Sequence, residues 1–406
     1  MKKETLKKYA KLIAEVGANV QPGQEVNLYA GLDQPEFVKM LVEECYKRKA
    51  KKVNVEWSYQ PLEKVHVKYR SVKTLNTLDA YEEAKLQHMV DVLPCRIFLH
   101  SDDPDGLKGM NTAKLMKAKD RRRKVRDYRE KIDNLHQWCI AAVPGKAWAK
   151  KLFPGVRSSV AEEKLWEAIL AASKVTDDPV QNWKDHNSSL KKRCEILNSY
   201  NITKLHYTSS NGTDLTVGII PESTFVGGDS QTLAGVSFNP NIPSEECFTT
   251  PKKGEADGIV YASLPLSYNG QLIENFWIKF EGGKAVEWDA EKGKDLLTEI
   301  ITTDEGSAYL GECALVPFES PINQSGILYY CTLFDENASC HLALGNGYSD
   351  TIKGYETMSA EDFEKLGVNR SMMHVDFMIG TADFSIDGID ANGKAHPIFR
   401  NGTWAI

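Results

Sequence analysis

Thr203-Lys-Leu-His-Tyr-Thr-Ser-Ser-Asn-Gly-Thr-Asp-Leu-Thr-Val-Gly-Ile-Ile220 separates two kinds of sequence within the chain. Two β-prone runs, residues 203–209 and 213–220, flank Asn211-Gly212, a dipeptide suited to the left-handed backbone of a tight hairpin. The pattern repeats where residues 260–268 and 272–281 flank Asn269-Gly270. Between the hairpins, residues 221–257 are rich in Gly, Pro, Ser and Asn, and they read as a long loop, functional or disordered, that carries Glu245 and Glu246. A helix is predicted over residues 290–302, and strands over 309–316, 374–380 and 382–389. Upstream the signals differ. Leu6, Ala10, Ile13 and Val16 space as a helix ending at Gly17, a strand follows over 25–30, and Asp33 and Pro35 open a helix towards residue 50. Apolar runs at 53–57, 96–100 and 138–143 read as further strands, and 146–153, 160–173 and 179–200 as helices. The expectation is an α/β N-terminal domain over residues 1–200 with a largely parallel sheet, then a β-rich α+β C-terminal catalytic domain over 201–406.

Charge divides the chain at the same place. Residues 1–200 carry 38 Lys+Arg and 27 Asp+Glu, whereas 201–406 carry 12 and 29, so a net charge of −6 hides halves of +11 and −17. A step of this size supports a domain boundary. Residues 117–131 contain Arg121-Arg122-Arg123, which invites a nucleic-acid reading. Asp120, Asp127, Glu130 and Asp133 interleave at pairing distance and favour a solvated helix face, so no nucleic-acid partner is expected. No run of 18 apolar residues occurs, and Met1-Lys-Lys-Glu4 leads into an amphipathic pattern, so neither a membrane partner nor a secretory leader is expected. Eight cysteines stand singly with no Cys-x-x-Cys, which fits reduced thiols in a cytoplasm.

Four segments of the acidic half carry metal-ligating side chains. In His374-Val-Asp376, residues two apart on a strand share a face, so imidazole and carboxylate converge on one point; an ordinary hydrogen-bonded pair has the same pattern. Glu312 interrupts an apolar strand and is either metal-bound, where it could bridge two cations, or salt-bridged. Glu336 and His341 are five apart with Tyr348 beyond, and the alternative there is a helix end capped by His341. Glu246 completes the set. Oxygen ligands with two imidazoles suit Zn²⁺, Co²⁺ or Mn²⁺, and two such ions can activate water for hydrolysis. Cys340 reads as a buried neighbour, since no partner supports a nucleophilic thiol. Gly-x-Ser-x-Gly, His-Glu-x-x-His and a phosphate-binding glycine loop are all absent.

These motifs occur in a recognisable order. Asn241-Ile-Pro-Ser-Glu-Glu246, Thr303-Asp-Glu-Gly306 with Leu310-Gly-Glu312, Thr332-Leu-Phe-Asp-Glu336-Asn-Ala, His341-Leu-Ala-Leu-Gly345 and His374-Val-Asp-Phe-Met-Ile-Gly380 resemble the aminopeptidase T family, which includes aminopeptidase S and PepS. The likeness is dense from about residue 240 to the end and looser before it. It implies a metal-dependent aminopeptidase releasing single N-terminal amino acids from short peptides, with two divalent metal ions per subunit (Zn, Co or Mn) in a homodimer that encloses its active sites. By motif position it puts the metal ligands on Glu246, Glu312, Glu336, His341, His374 and Asp376, and the active-site tyrosine on Tyr348. The proline usual after that tyrosine is replaced by Ser349. The expected mechanism has a two-metal-activated water, Glu312 bridging, Glu246 assisting proton transfer and Tyr348 facing the oxyanion. Other two-metal amide or ester hydrolases, and a non-catalytic metal- or peptide-binding dimer, are the alternatives.

Overall fold

The computed structural model describes residues 1–111, 114, 115 and 117–406. Two compact units emerge: Met1–Trp183 with Asp229–Pro243, and Lys184–Gly228 with Ser244–Ile406. The division falls inside the helix Pro179–Ser199, and residues 229–243 return to the first unit, so it departs from the single cut near residue 200 suggested by charge.

In the first unit, β1 (Glu25–Gly31), β2 (Lys52–Ser58), β3 (Cys95–His100) and β4 (Trp138–Ala142) form a sheet in the order β2-β1-β3-β4. Every pairing is parallel, as helix-strand alternation predicts, because parallel neighbours need a crossover between them. Val26, Leu28, Ile97, Leu99, Cys139 and Ala141 are buried in it. Tyr9, Phe37 and Trp166 come from three helices and pack in tilted and edge-on contacts with ring centroids within 6.3 Å of one another. The helix Lys119–Glu130 has no buried residue, and Arg121 pairs with Glu82 at 2.7 Å and Arg126 with Glu130 at 2.9 Å. That is the arrangement of a solvated, ion-paired face.

The second unit begins its sheet with the hairpin β5 (Ile202–Thr208) and β6 (Asp214–Ile219), whose loop spans residues 209–213. The short pair β7 (Ser230–Gln231) and β8 (Ser237–Phe238) lies in the segment that returns to the first unit. Then come β9 (Cys247–Thr249), β10 (Pro251–Tyr261), β11 (Leu266–Tyr268), β12 (Gln271–Glu281) and β13 (Lys284–Lys292). The expected loop over 221–257 is thus shorter. β10 is claimed by pairing with β6 from Pro251 onward, and a three-residue strand such as β9 is too short to show alternation. The predicted helix over 290–302 also begins later, at Lys294–Ile301, because β13 pairs with β12 as far as Lys292 and Gly293 turns the chain with φ +84°. Asn269-Gly270 makes the expected two-residue turn, with Tyr268 opposite Gln271 and positive φ at both positions.

The remaining strands are β14 (Leu310–Leu315), β15 (His341–Gly345), β16 (His374–Met378), β17 (Ser385–Asp390), β18 (Ala395–Arg400) and β19 (Thr403–Trp404). Nine strands make one sheet, ordered β11-β12-β10-β6-β5-β17-β18-β19 with β13 on β12, and four make another, ordered β16-β15-β14-β9. One face of the small sheet, with Cys313, Leu315, Leu342, Leu344, Val375 and Phe377, shares a core with Leu205, Tyr207, Val217, Phe276 and Ile278 of the large one. Phe276 and Phe377 meet at 5.9 Å. The other face is polar. Register aligns Glu312 with Ala343 and Ala343 with Asp376, and aligns Gly345 with His374. Since side chains alternate, Glu312, His341, His374 and Asp376 all leave the sheet on the side away from that core.

Gly311 sets this register. It is the irregular residue between the pairs Leu310↔Leu344 and Glu312↔Ala343, and a Cβ there would lie 2.4 Å from the Asn346 carbonyl oxygen and 2.5 Å from that of Gly345. Both are backbone atoms, so the strands themselves must separate to admit it. Gly311→Ala should therefore lower stability by about 1–3 kcal/mol, read as a fall in the urea midpoint at constant m. An unchanged midpoint would remove Gly311 from this role.

Candidate metal centre

Three pieces of chain converge on the polar face of the small sheet. Strands β14, β15 and β16 bring Glu312, His341, His374 and Asp376. The loop entering β9 brings Glu246, one residue ahead of the strand. The short helix Thr332–Asp335 and the 3₁₀ turn Glu336–Ala338 bring Glu336. His341 therefore opens a strand and caps no helix. Two groups of ligating atoms result, Glu246–Glu312–His341 and Glu312–His374–Asp376, each with all its atoms within 4.8 Å of one another. Glu312 belongs to both. Glu336 lies outside these tight groups but close enough that Asp376, Glu246 and Glu312 act on its charge, and it lines a pocket together with Asp376.

The imidazoles are oriented from behind. His374 Nδ1 donates to the Asn346 carbonyl at 2.8 Å, and His341 Nδ1 faces the Ser339 carbonyl at 3.4 Å. In both rings Nε2 is left facing carboxylates: Glu312 at 3.1 Å and Asp376 at 3.0 Å for His374, and Glu246 at 3.3 Å for His341. A backbone acceptor on one ring nitrogen fixes the tautomer and frees the other for a metal. Asn337, fully buried, joins the other two pieces. Its Oδ1 accepts from the Glu245 backbone N–H at 2.7 Å, and its Nδ2 donates to the Leu333 carbonyl at 3.0 Å and to Glu336 at 3.4 Å.

So many acids in one place hold protons against their ordinary tendency. Burial pushes the Glu312 carboxyl up to about 7, with Glu246 adding to it and His374 opposing. Burial, then Asp376 and Glu246, raise Glu336 well above the carboxylate range. Burial disfavours charge on His341, yet Glu246, Glu312 and Asp376 outweigh it and raise that ring to about 10. His374 is raised for the same reason, its burial overcome by Asp376 and Glu312. Asp376 stays below its usual value, because His374 outweighs its burial. A divalent cation could replace these shared protons, which is how metal sites couple to pKa. The donors fit such an ion. The buried Oδ1 of Asp376 accepts no hydrogen bond, its 3.0 Å approach to His374 being poorly aligned, and a carboxylate oxygen left so is costly unless a cation meets it.

Tyr348 stands at the rim, 36% exposed, with its hydroxyl 3.2 Å from His374 Nε2 and its ring against Phe248 and His374. Its backbone carbonyl accepts from Thr250 and Thr351. Loss of water around the hydroxyl, then Glu312, Asp376, Glu336 and Glu246, keep the phenol protonated. Cys340 is buried, its Sγ 3.3 Å from the Val316 carbonyl and its thiol pushed up to about 12 by burial, which fits the inert reading. The orienting residues Asn337 and Asn346 went unnoticed in the sequence, because a lone asparagine carries no spacing signal.

A family described as thermophilic metalloprotease (M29) matches residues 2–404. The chain is 42% identical over 406 residues to aminopeptidase AmpS of Bacillus subtilis (strain 168), spanning 99% of each. It is 39% identical to aminopeptidase PepS of Streptococcus thermophilus, spanning 100% of this chain and 98% of the relative. The structure of wild-type AmpT from Thermus thermophilus superposes with a TM-score of 0.91 at 35% identity, covering all of both chains.

Because Asn337 ties the Glu246 loop to the Glu336 turn, Asn337→Ala should loosen both arms without removing a ligand. Metal affinity, titrated against a competing chelator, is expected to fall roughly 10–100-fold. Affinity at the wild-type value would show that the arms hold themselves.

Proposed function

The chain belongs to the thermophilic metalloprotease family M29, and on that premise we propose that this peptide-bond hydrolase is an aminopeptidase releasing single N-terminal amino acids from short peptides. The observation that carries the two-metal form of this reading is the place of Glu312 in both ligand groups. Glu246, Glu312 and His341 would hold one divalent cation, and Glu312, His374 and Asp376 a second, with Glu336 reaching in beside Asp376. Oxygen and imidazole donors suit Zn²⁺, Co²⁺ or Mn²⁺. Bound there, two cations would supply a water made nucleophilic near neutral pH and a polarised scissile carbonyl.

The chain's own groups supply the rest. Glu312 keeps two imidazole-bearing ligand groups at a fixed spacing. Glu246, in the loop ahead of β9 and within reach of His341, would take the proton of the attacking water and return it to the leaving amine. Tyr348, held protonated, donates a hydrogen bond to the carbonyl oxygen as it becomes negative. Its hydroxyl stands beside His374, on the open side of the cluster, where that oxygen would emerge.

We also propose that the working enzyme is a homodimer. Eight cysteines, all buried and unpaired, fit a reducing cytoplasm, and among the described residues no helix is long and apolar enough to cross a membrane.

Chelation should abolish cleavage of aminoacyl amides, and Co²⁺, Zn²⁺ or Mn²⁺ should restore it; N-acetylated peptides should be refractory. Full turnover by metal-stripped protein would end the metal-dependent reading, and rapid cleavage of blocked peptides would favour a general amide hydrolase. In the same assay Tyr348→Phe should lower kcat by about 10²–10³ with metal content unchanged. Wild-type kcat would take the tyrosine out of the reaction, and a lost ion would make it a ligand.

A further inference from the structure

Tyr348 lies in the loop after β15, outside any helix or strand, so no ladder of backbone hydrogen bonds sets its place. We propose that a run of four hydroxyls ending on its backbone carbonyl holds the tyrosine over the candidate metal centre, which makes Thr250 and Thr351 positioning residues for the reaction. The inference rests on the part given to Tyr348 under the aminopeptidase reading and adds the groups that fix it.

The hydroxyls come from separate stretches of the second unit. Thr249 ends β9 and Thr250 follows it, Ser223 lies between β6 and β7, and Thr351 lies three residues beyond the tyrosine. Thr249 Oγ1 and Ser223 Oγ are 2.8 Å apart. Ser223 Oγ donates to Thr351 Oγ1 at 3.2 Å, Thr351 Oγ1 donates to Thr250 Oγ1 at 2.8 Å, and Thr250 Oγ1 donates to the Tyr348 carbonyl at 2.9 Å. Ser223 spends its proton on Thr351, so Thr249 is the donor between the first two. Every proton in the run then points the same way, and bonds in such a run strengthen one another. Thr351 Oγ1 also lies 3.2 Å from the Tyr348 carbonyl, so two hydroxyls face it. Thr249, Thr250 and Thr351 are fully buried. A hydroxyl there is costly unless bonded, and valine would fill the same space. Their bonds lead to one place, the backbone of the tyrosine.

Further anchors keep the loop from turning about that point. Just before the tyrosine the Gly347 N–H donates to the Asn369 carbonyl at 2.8 Å. Just after it the Thr351 carbonyl accepts from the Thr224 N–H at 2.8 Å and hydroxyl at 2.9 Å. With the backbone held on both sides, the ring meets Phe248 edge-on at 5.3 Å and its hydroxyl reaches His374 Nε2 at 3.2 Å. Among the described residues, none of the four hydroxyls bonds a candidate ligand. The run therefore acts on Tyr348 and leaves the metal-binding groups alone.

The test removes both hydroxyls that face the carbonyl. Thr250→Val with Thr351→Val keeps the branched shape and loses the donors, and Thr250→Ser with Thr351→Ser restores them. Each pair is made in the wild type and in Tyr348→Phe, and kcat on an aminoacyl amide, metal content and the urea midpoint are measured. The valine pair should lower kcat about tenfold or more with metal content unchanged, as misplacement of a reacting group does. The serine pair should stay within about twofold of wild type, and on the Tyr348→Phe background the valine pair should change kcat by less than about twofold, because the group it positions is gone. A readout free of turnover uses metal-free protein labelled with fluorotyrosine. The Tyr348 line in the fluorine NMR spectrum, identified by its loss in Tyr348→Phe, should move or broaden with the valine pair and return with serine. Should the valine pair unfold, Thr351→Val alone carries the same measurements, with a smaller loss that again vanishes on the Tyr348→Phe background. An unmoved fluorine line, a valine-pair kcat within about twofold of wild type, or the same proportional loss with and without the tyrosine hydroxyl would each overturn the proposal. A Tyr348→Phe enzyme with wild-type kcat would overturn the tyrosine's part in the reaction and this proposal with it, a result distinct from an essential tyrosine whose place the hydroxyls do not affect.

Discussion

Like charges are crowded onto one face of a four-stranded sheet whose other face is apolar core. Glu312 and Asp376 flank Ala343 in register, and Glu246 and Glu336 are brought over the same face from outside the sheet. Four carboxylates in a buried place repel one another and are costly to desolvate. Burial and mutual repulsion raise Glu312 and Glu336 towards the protonated form, and the surrounding carboxylates raise the two imidazoles. With cations bound as proposed, the same geometry would serve as a ligand set. The strands around the cluster are tightly specified because their reverse faces are packed in the core. A slip of one residue would exchange these polar side chains with Leu342, Phe377 and Cys313.

Rigidity and access are divided between parts of the cluster. The strand-borne candidate ligands are fixed by register and by close backbone approaches at Gly311 and Gly345, where an added Cβ would strike carbonyl oxygens. The loop-borne Glu246 and turn-borne Glu336 depend instead on Asn337, a single buried amide bonded to both segments. Tyr348, partly exposed, lies where the cluster opens. A site meant to exchange substrate needs one firm side and one accessible side, and the division matches that need.

Much of this was legible in the sequence, for physical reasons that differ by residue. His374-Val-Asp376 announced a shared face because strand side chains alternate, and Glu312 stood out because a carboxylate in an apolar strand requires a partner. The parallel sheet followed from helices alternating with apolar runs, and Asn269-Gly270 from the backbone its turn demands. Short elements escaped. β9 has three residues and no periodicity, yet it positions Glu246. The helix at Lys294 begins late because pairing with β12, a long-range contact, claims the residues before it. Asn337 and Asn346 were silent because their importance lies in what they touch. The resemblance to aminopeptidase T bears on what local reading left open at Glu312 and His341, where a salt bridge and a helix cap were the alternatives offered by the residues alone.

The central claim is that Glu312 joins two ions. Elemental analysis of the metal-saturated protein, wild type beside Glu312→Gln, measures it directly. The account predicts two divalent ions per wild-type chain and loss of bound metal together with activity in the variant, while the urea midpoint shows the variant still folded. One ion per wild-type chain, or a Glu312→Gln protein that keeps two, would contradict it.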